Sequence, residues 1–504
     1  MANHFKQFPL GTSVGASPHS VVSSLPTLAD VRAYEEKEAR IEAIMHVGYP
    51  RFMEHQFVGQ LKEFYLAREG LESRECILVR GTNSLTLLLE TLGSQCRPLL
   101  VEPENNLNLV WVEAANDRTY QDLKKYVQHT GIGVSSREAE DLLIKYGCKE
   151  KTEAFQESGF EGDSMQFVKQ EIAQLSGAKE TMIWSCAAGM NAFYAAFKSV
   201  QSYQSRQGRK RWLQLGWLYV DSGSILEKFL GEEESLEQCF DVSQTESILQ
   251  AIKVCGADLA AVVVECPSNP LIESCDLAKI AAAVRAEGGV FLIDPTIASL
   301  YSVDVLKHAD IVATSLTKYA AHSADIMTGA VLVNHASPHA KELGVGIEKW
   351  HLKPYARDLA RLACSMATAP QAIKQMQANA ERLIKFMKAH PAVERVHATE
   401  GPFFEAIAKK GHTVVSLFSI VLKGSMERFY DSVTLMKGPS FGSTTTLLCP
   451  FMFLAHYDLV NSKRGQTKLR EAGIEPDLIR IAVGTEPYAD LESIFEAALS
   501  ASLN

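Results

Sequence analysis

From about residue 165 the chain alternates short apolar runs with amphipathic stretches. TMIWS (181–185), WLQLGWLYV (212–220), LAAVVVE (259–265), GGVFLID (288–294), ADIVATSL (309–316) and TGAVLVN (328–334) predict strands. Runs that are almost wholly apolar suit strands buried on both faces. Helices are predicted over 165–176, closing on Gly177, after AAGMNA (187–192), and over 276–287. Strands alternating with helices imply an α/β fold, with a mostly parallel sheet covered on both faces. In such a sheet the active site lies at the carboxyl ends of the strands.

The flanks read differently. Residues 30–46 form a charged amphipathic pattern that predicts one helix, N-capped by Thr27 or Asp30. Strands are predicted at 76–80 and 109–113, with a helix at 84–92 between them. Ser135 followed by Glu138 predicts a capping box before a helix that ends at Gly147. GIGVSS (131–136) reads as the turn before that helix. Downstream, one long helix is predicted over 357–390, strands at 412–423 and 478–484, and a closing helix at 489–501. The expected organisation is an N-terminal α/β region (1–150) without a catalytic set, a large domain (151–340) and a smaller C-terminal domain (341–504).

A length of 504 residues is too much for one core, which agrees with two or three domains. With 50 Lys+Arg against 60 Asp+Glu the net charge is -10, which argues against a nucleic-acid binder. The basic stretch Arg206–Arg211 reads as a solvated loop. No apolar run reaches the ~18 residues that cross a bilayer, and the first twenty residues lack the apolar core of a secretory signal. The ten cysteines are scattered without a CxxC, as expected of reduced thiols in a cytoplasm; Cys186 and Cys266 read as packed, small hydrophobes. His335 and His339 have helical metal spacing, but Pro338 between them breaks the helix, so no metal is expected.

Candidate chemistry gathers at the predicted strand ends. Lys318, in SLTKYAAHSADIMTG, follows a buried strand, where partial desolvation favours the neutral amine that forms Schiff bases. Ser315 and Thr317 flank it with hydroxyls suited to a phosphate. Asp294 ends another strand, and a carboxylate there suits the ring nitrogen of pyridoxal phosphate. Asn269, in ECPSNP, suits the phenolic oxygen of the same ring. The start of the helix after AAGMNA offers free N–H groups to a phosphate, and Tyr219 is placed to stack on a ring.

In chain order the motifs AAGM, LYVDSGS, E-x-PSNP, DPT, SLTK, GPSFG and IRIAVGTE resemble the Cys/Met-metabolism family of pyridoxal-phosphate enzymes over residues 165–500. SLPT (24–27), GYPRF (48–52), GMNAF (189–193), KGPSFG (437–442) and LAHY (454–457) resemble its fungal-type cystathionine γ-synthase subgroup. The resemblance implies the aspartate-aminotransferase type of fold and pyridoxal 5'-phosphate as cofactor. Lys318 then matches the Schiff-base lysine, Asp294 the partner of the ring nitrogen, and Thr296 the residue beneath the ring. Gly189 and Met190 match the phosphate-binding backbone pair, with Ser315 and Thr317 as its hydroxyl ligands. Tyr219 matches the stacking tyrosine that also moves protons, Arg480 the clamp on the substrate α-carboxylate, and Ser440 the serine that orients it.

Three departures stand out. The family's Tyr-x-Arg before its first helix, donated across a subunit interface to the phosphate, is missing from AFQESGFEGD; Tyr49 and Arg51 share its spacing about a hundred residues earlier. The tyrosine motif reads YVDSGS rather than YGGT, and the loop after the lysine reads AAHSADIMTG rather than GGHSDxxGG. The activity implied is γ-replacement on an O-acylhomoserine by cysteine, giving cystathionine. Cystathionine or methionine lyase and sulfhydrylase activities share the motifs, and a noncatalytic paralogue is the reading from another class. Small amino acids are the expected partners, with assembly into a homo-oligomer, a dimer or tetramer.

Overall fold

The computed structural model describes residues 7–49, 53–71, 74–112 and 117–504. It holds three sheets. Within the N-terminal 150 residues, β1 (Cys76–Arg80), β2 (Cys96–Glu102) and β3 (Leu107–Val112) form an antiparallel sheet in the order β1-β3-β2. The central sheet contains β4 (Ile183–Cys186), β5 (Arg211–Leu215), β6 (Ser235–Cys239), β7 (Leu259–Glu265), β8 (Val290–Asp294), β9 (Ile311–Ser315) and β10 (Gly329–Val333). Its order is β4-β10-β9-β8-β7-β5-β6, and only β10 runs against its neighbours. The C-terminal sheet is β11 (Val393–His397), β12 (Leu417–Leu422), β13 (Met436–Lys437), β14 (Leu447–Pro450) and β15 (Ile479–Ala482), ordered β11-β12-β15-β14-β13.

Period two along the central strands builds two cores. Val262, Val264, Phe291 and Ile293 face one side, under the helix Leu277–Ala286. Val263, Val290 and Leu292 face the other, under the helix Gly189–Arg206. Both faces are covered, so the strands are apolar throughout. The helix Ala356–Ala389 runs for 34 residues, about 50 Å at 1.5 Å per residue. Leu359 to Met376 pack in the central core, while Ala380 to Met387 pack in the C-terminal one.

The sheet β1-β3-β2 is sandwiched by the helices Gln56–Glu69 and Ser136–Lys145 on one face and Thr82–Leu92 and Asp117–Thr130 on the other. Residues before it pack elsewhere. Val14, Val21 and Val22 join the central core, and Leu25, Leu28 and Val31 join the C-terminal one. Residues 7–49 are therefore a strap across the other two units. It is pinned by Val21 N–H to Ala324 O (2.9 Å), Leu25 N–H to Lys437 O (3.0 Å) and Lys437 Nζ to Pro26 O (2.6 Å).

Four local expectations change. The helix foreseen over 30–46 breaks into Leu28–Glu35, capped by Thr27, and Ala39–Glu42. Lys37 takes a left-handed turn between them, and Arg40 returns to Asp30 at 2.7 Å. The strand foreseen over 212–220 stops at Leu215, because Gly216 turns the chain at φ +70°. The capping box at Ser135 is half made: its hydroxyl accepts the Glu138 N–H, but the Glu138 carboxylate faces Arg80 at 3.4 Å. The strand β2 escaped prediction because it is an edge strand with exposed positions such as Leu100.

Candidate active site

The parallel strands β7, β8 and β9 end together on a cavity of about 530 Å³. Glu265 and Asp294 lie side by side there, in register on β7 and β8. Burial raises the pKa of both, and the neighbouring Asp294 raises that of Glu265 further. Glu265 accepts the Tyr219 N–H, which fixes the start of the helix Val220–Lys228. Asp294 accepts from the N–H and hydroxyl of Thr296, both on Oδ1. Thr296 in turn accepts the Ser315 N–H at 2.9 Å, so it braces β8 against β9.

Lys318 is buried just beyond β9. Its ammonium donates to Tyr49 Oη at 3.0 Å and to Ser440 Oγ at 3.3 Å, and lies 5.0 Å from the centre of the Phe441 ring. Arg480, on β15, is 4% exposed and flanked by Phe451 and Phe441, with centres 4.6 and 5.3 Å away. It donates to Asn269 Oδ1 at 3.1 Å and to Pro439 O at 3.4 Å. Among the described residues no carboxylate lies within salt-bridge distance of it. Glu486, six residues further along the chain, bonds Thr446 instead. A guanidinium buried without its counter-ion is a prepared seat for a ligand carboxylate.

The helix Gly189–Arg206 begins at the same cavity. A Cβ on Gly189 would stand 2.7 Å from Ser315 Cβ, so glycine alone lets the first turn approach β9. Gly189, Met190 and Ser315 line the cavity beside free N–H groups. Thr317 is a correction. Its hydroxyl donates to Thr328 O and accepts the Thr328 N–H, each at 3.1 Å, where β9 hands over to β10, and it does not line the cavity. Of the expected hydroxyl pair, only Ser315 is at the wall. Tyr219, Asn269, Asp294, Thr296, Lys318 and Arg480 are brought together there, with Ser440 on Lys318.

The N-terminal 150 residues are also a correction: they do reach the site. Tyr49 touches Lys318, and Arg80, Gln128, Gly131, Gly133, Ser135 and Arg137 line the cavity. GIGVSS is thus both a turn and a wall. Arg51, which shares the Tyr49 motif, lies outside the described residues. Glu265 had a legible signal, since it ends a buried strand as Asp294 does. Arg137 had none, because its partners are distant in sequence. Of His335 and His339, the second bonds Tyr203 Oη at 3.1 Å.

These residues fit pyridoxal phosphate. A buried amine, a strand-end carboxylate that lines the cavity, and a helix start kept clear by glycine match the aldehyde, ring nitrogen and phosphate of that group.

The sequence profile of the Cys/Met metabolism PLP-dependent enzymes matches residues 112–500. An L-2-amino-4-chloropent-4-enoate dechlorinase/desaturase of Streptantibioticus cattleyicolor is 32% identical, over 96% of this chain and 97% of that one. A cystathionine gamma-synthase of Neurospora crassa is 28% identical over 64% of this chain and 53% of its own. Among solved structures, cystathionine gamma synthase from Xanthomonas oryzae superposes with a TM-score of 0.57 at 21% identity, covering 68% of this chain and 86% of that one. No helix among the described residues is long and apolar enough to cross a membrane.

Proposed function

The chain belongs to the Cys/Met metabolism family of PLP-dependent enzymes, and on that footing we propose that it acts on an L-amino acid carrying a leaving group on Cγ. The first reading is γ-replacement, in which the thiol of cysteine takes the place of the acyloxy group of an O-acylhomoserine and cystathionine results. The observation that carries it is the pairing of a buried Lys318 with a counter-ion-free Arg480 across one cavity.

Pyridoxal phosphate, when bound, supplies the electron sink that makes Cα acidic. The chain's residues do the rest. The planar fork of Arg480 holds the substrate α-carboxylate, and the Asn269 carbonyl keeps that fork in place. Phe441 and Phe451 exclude water around it. The Lys318 amine takes the Cα proton and then a Cβ proton, so that the Cγ–O bond breaks and the acyloxy group leaves as a carboxylate. Tyr49 Oη and Ser440 Oγ, both accepting from Nζ, aim its lone pair once it is neutral. Asp294 holds the ring-nitrogen proton, and Thr296 holds Asp294.

A second reading has its own support. The relative that is 32% identical over 96% of this chain bears the name of a dechlorinase/desaturase, which points to loss of a Cγ substituent without a thiol. The test is product analysis with O-acetyl-, O-succinyl- and O-phosphohomoserine and with 2-amino-4-chloropent-4-enoate, each with and without cysteine. Cystathionine formed only with cysteine supports replacement. Turnover equal with and without thiol replaces it with elimination. In the same preparation the protein should absorb near ~420 nm, and borohydride should fix the cofactor to Lys318.

A further inference from the structure

The chain departs from the usual family pattern at the tyrosine (YVDSGS) and after the lysine (AAHSADIMTG). One segment of the N-terminal region, the helices Asp117–Thr130 and Ser136–Lys145 with the glycine loop between them, holds both departures. Asp221, two residues after Tyr219 and buried, accepts from Gln128 Nε2 at 2.9 Å and lies 3.2 Å from His129 Nδ1. Asp325, seven residues after Lys318, is gripped twice by Arg137: Nη1 donates to its carbonyl at 2.6 Å and Nη2 to its carboxylate at 3.1 Å. The same guanidinium binds Glu157 and Asp358 and is fully buried. Between these two grips, Gly131 lies against Asn191 N, where a Cβ would come within 2.6 Å, and Thr130 O accepts from Asn191 Nδ2. Asn191 is in the first turn of the helix that starts at Gly189.

We propose that residues 117–145 position the cofactor site from one of its walls, with Arg137 and the Gln128–His129 pair as positioning residues. The segment touches, in order, the helix led by Tyr219, the helix start that faces a phosphate, and the loop that follows Lys318. One rigid hairpin thereby sets the mutual placement of three elements that the sheet leaves separate. Arg137 is suited to this because its fork bridges three carboxylates at once, which a lysine ammonium cannot reproduce. Asp221 stands where YGGT has a glycine, and this chain carries the hairpin that binds it. The inference rests on the reading of Lys318 and Tyr219 given above.

The test uses the full chain carrying Arg137→Lys, and separately the double variant Gln128→Ala/His129→Ala. Measured are the affinity of the cofactor-stripped protein for pyridoxal phosphate, kcat and KM, and thermal unfolding with and without cofactor. The expected result is weaker cofactor affinity with kcat lowered about 10- to 100-fold, the scale of ångström misplacement. KM for the amino acid should stay unchanged, since Arg480 and Asn269 make no contact with the segment. The cofactor should also raise the melting temperature less in the variants than in the parent chain. Equal loss of melting temperature in both forms, with affinity and kcat intact, overturns the inference and leaves a mere scaffold. If Arg137→Lys does not fold, the double variant alone decides between these outcomes. Failure of the parent chain to bind the cofactor at Lys318 is a different result, because it removes the functional reading first and this inference with it.

Discussion

Arg480 shows how much a single position can carry. Burying a guanidinium without a carboxylate is unfavourable, and two aromatic faces and two carbonyl oxygens offset only part of that cost. A ligand carboxylate completes the shell. Arg480→Lys should leave the cofactor spectrum unchanged, raise KM for the amino acid and lower kcat/KM by about 1.5–3 kcal/mol, the scale of a charged hydrogen bond. Cofactor loss with a normal KM would instead make the arginine structural. Asp294→Asn should keep the fold and lose most of kcat, read by steady-state assay, because an amide cannot hold the ring-nitrogen proton. Lys318, Asp294 and Arg480 were legible as positions that follow, end or interrupt an apolar run, whereas Ser440 was named only through the motif GPSFG. Tyr49 was named only by its Tyr-x-Arg spacing, because nothing local shows that a residue 269 positions away folds onto Lys318. Thr317 was misread because spacing does not reveal that a hydroxyl is already held by Thr328.

At the scale of elements, legibility followed burial. The strands β7, β8, β9 and β10 are apolar throughout and read cleanly, as did the helix Ala356–Ala389 despite Pro370 within it. Elements with mixed patterns were missed or over-extended, among them β2 and the broken helix near Lys37. The loop between the hairpin helices gives a contrast between two glycines. Gly131 has φ +64° and no room for a Cβ, whereas Gly133 has its nearest neighbour at 3.7 Å. Gly131→Ala should destabilise the protein by about 1–3 kcal/mol, the scale of a strained backbone position, and weaken pyridoxal phosphate binding by displacing Asn191. Gly133→Ala should stay within about 0.5 kcal/mol of the parent. Urea unfolding and cofactor titration of the two variants check both; equal behaviour would show that the close approach is not a constraint.

At the scale of the whole molecule, three sheets share one cleft and a strap. Lys437, fully buried on β13, clasps the strap through Pro26 O. Burial lowers its pKa to about 7 from its ordinary 10.5. In the window between those values the unfolded chain binds a proton that the folded chain does not, so stability rises with pH from about 7 upward and is lower by the full amount below it. Melting temperatures from pH 6 to 9 should therefore climb more steeply in the parent than in Lys437→Met, which has nothing to titrate there. Parallel curves would place the lysine in water instead. This clasp was invisible in the sequence, because strap and clasp are about 400 residues apart.

That separation also sets an order in time. A ribosome makes the strap about 400 residues before β13, so Val21, Val22, Leu25 and Val31 wait for partners not yet synthesised. At about 5–20 residues per second the interval is roughly 20–80 s. Throughout it, an apolar arm hangs from the nascent chain with the tyrosine that meets Lys318 at its far end. The cofactor site therefore needs a segment made long before the residues it meets.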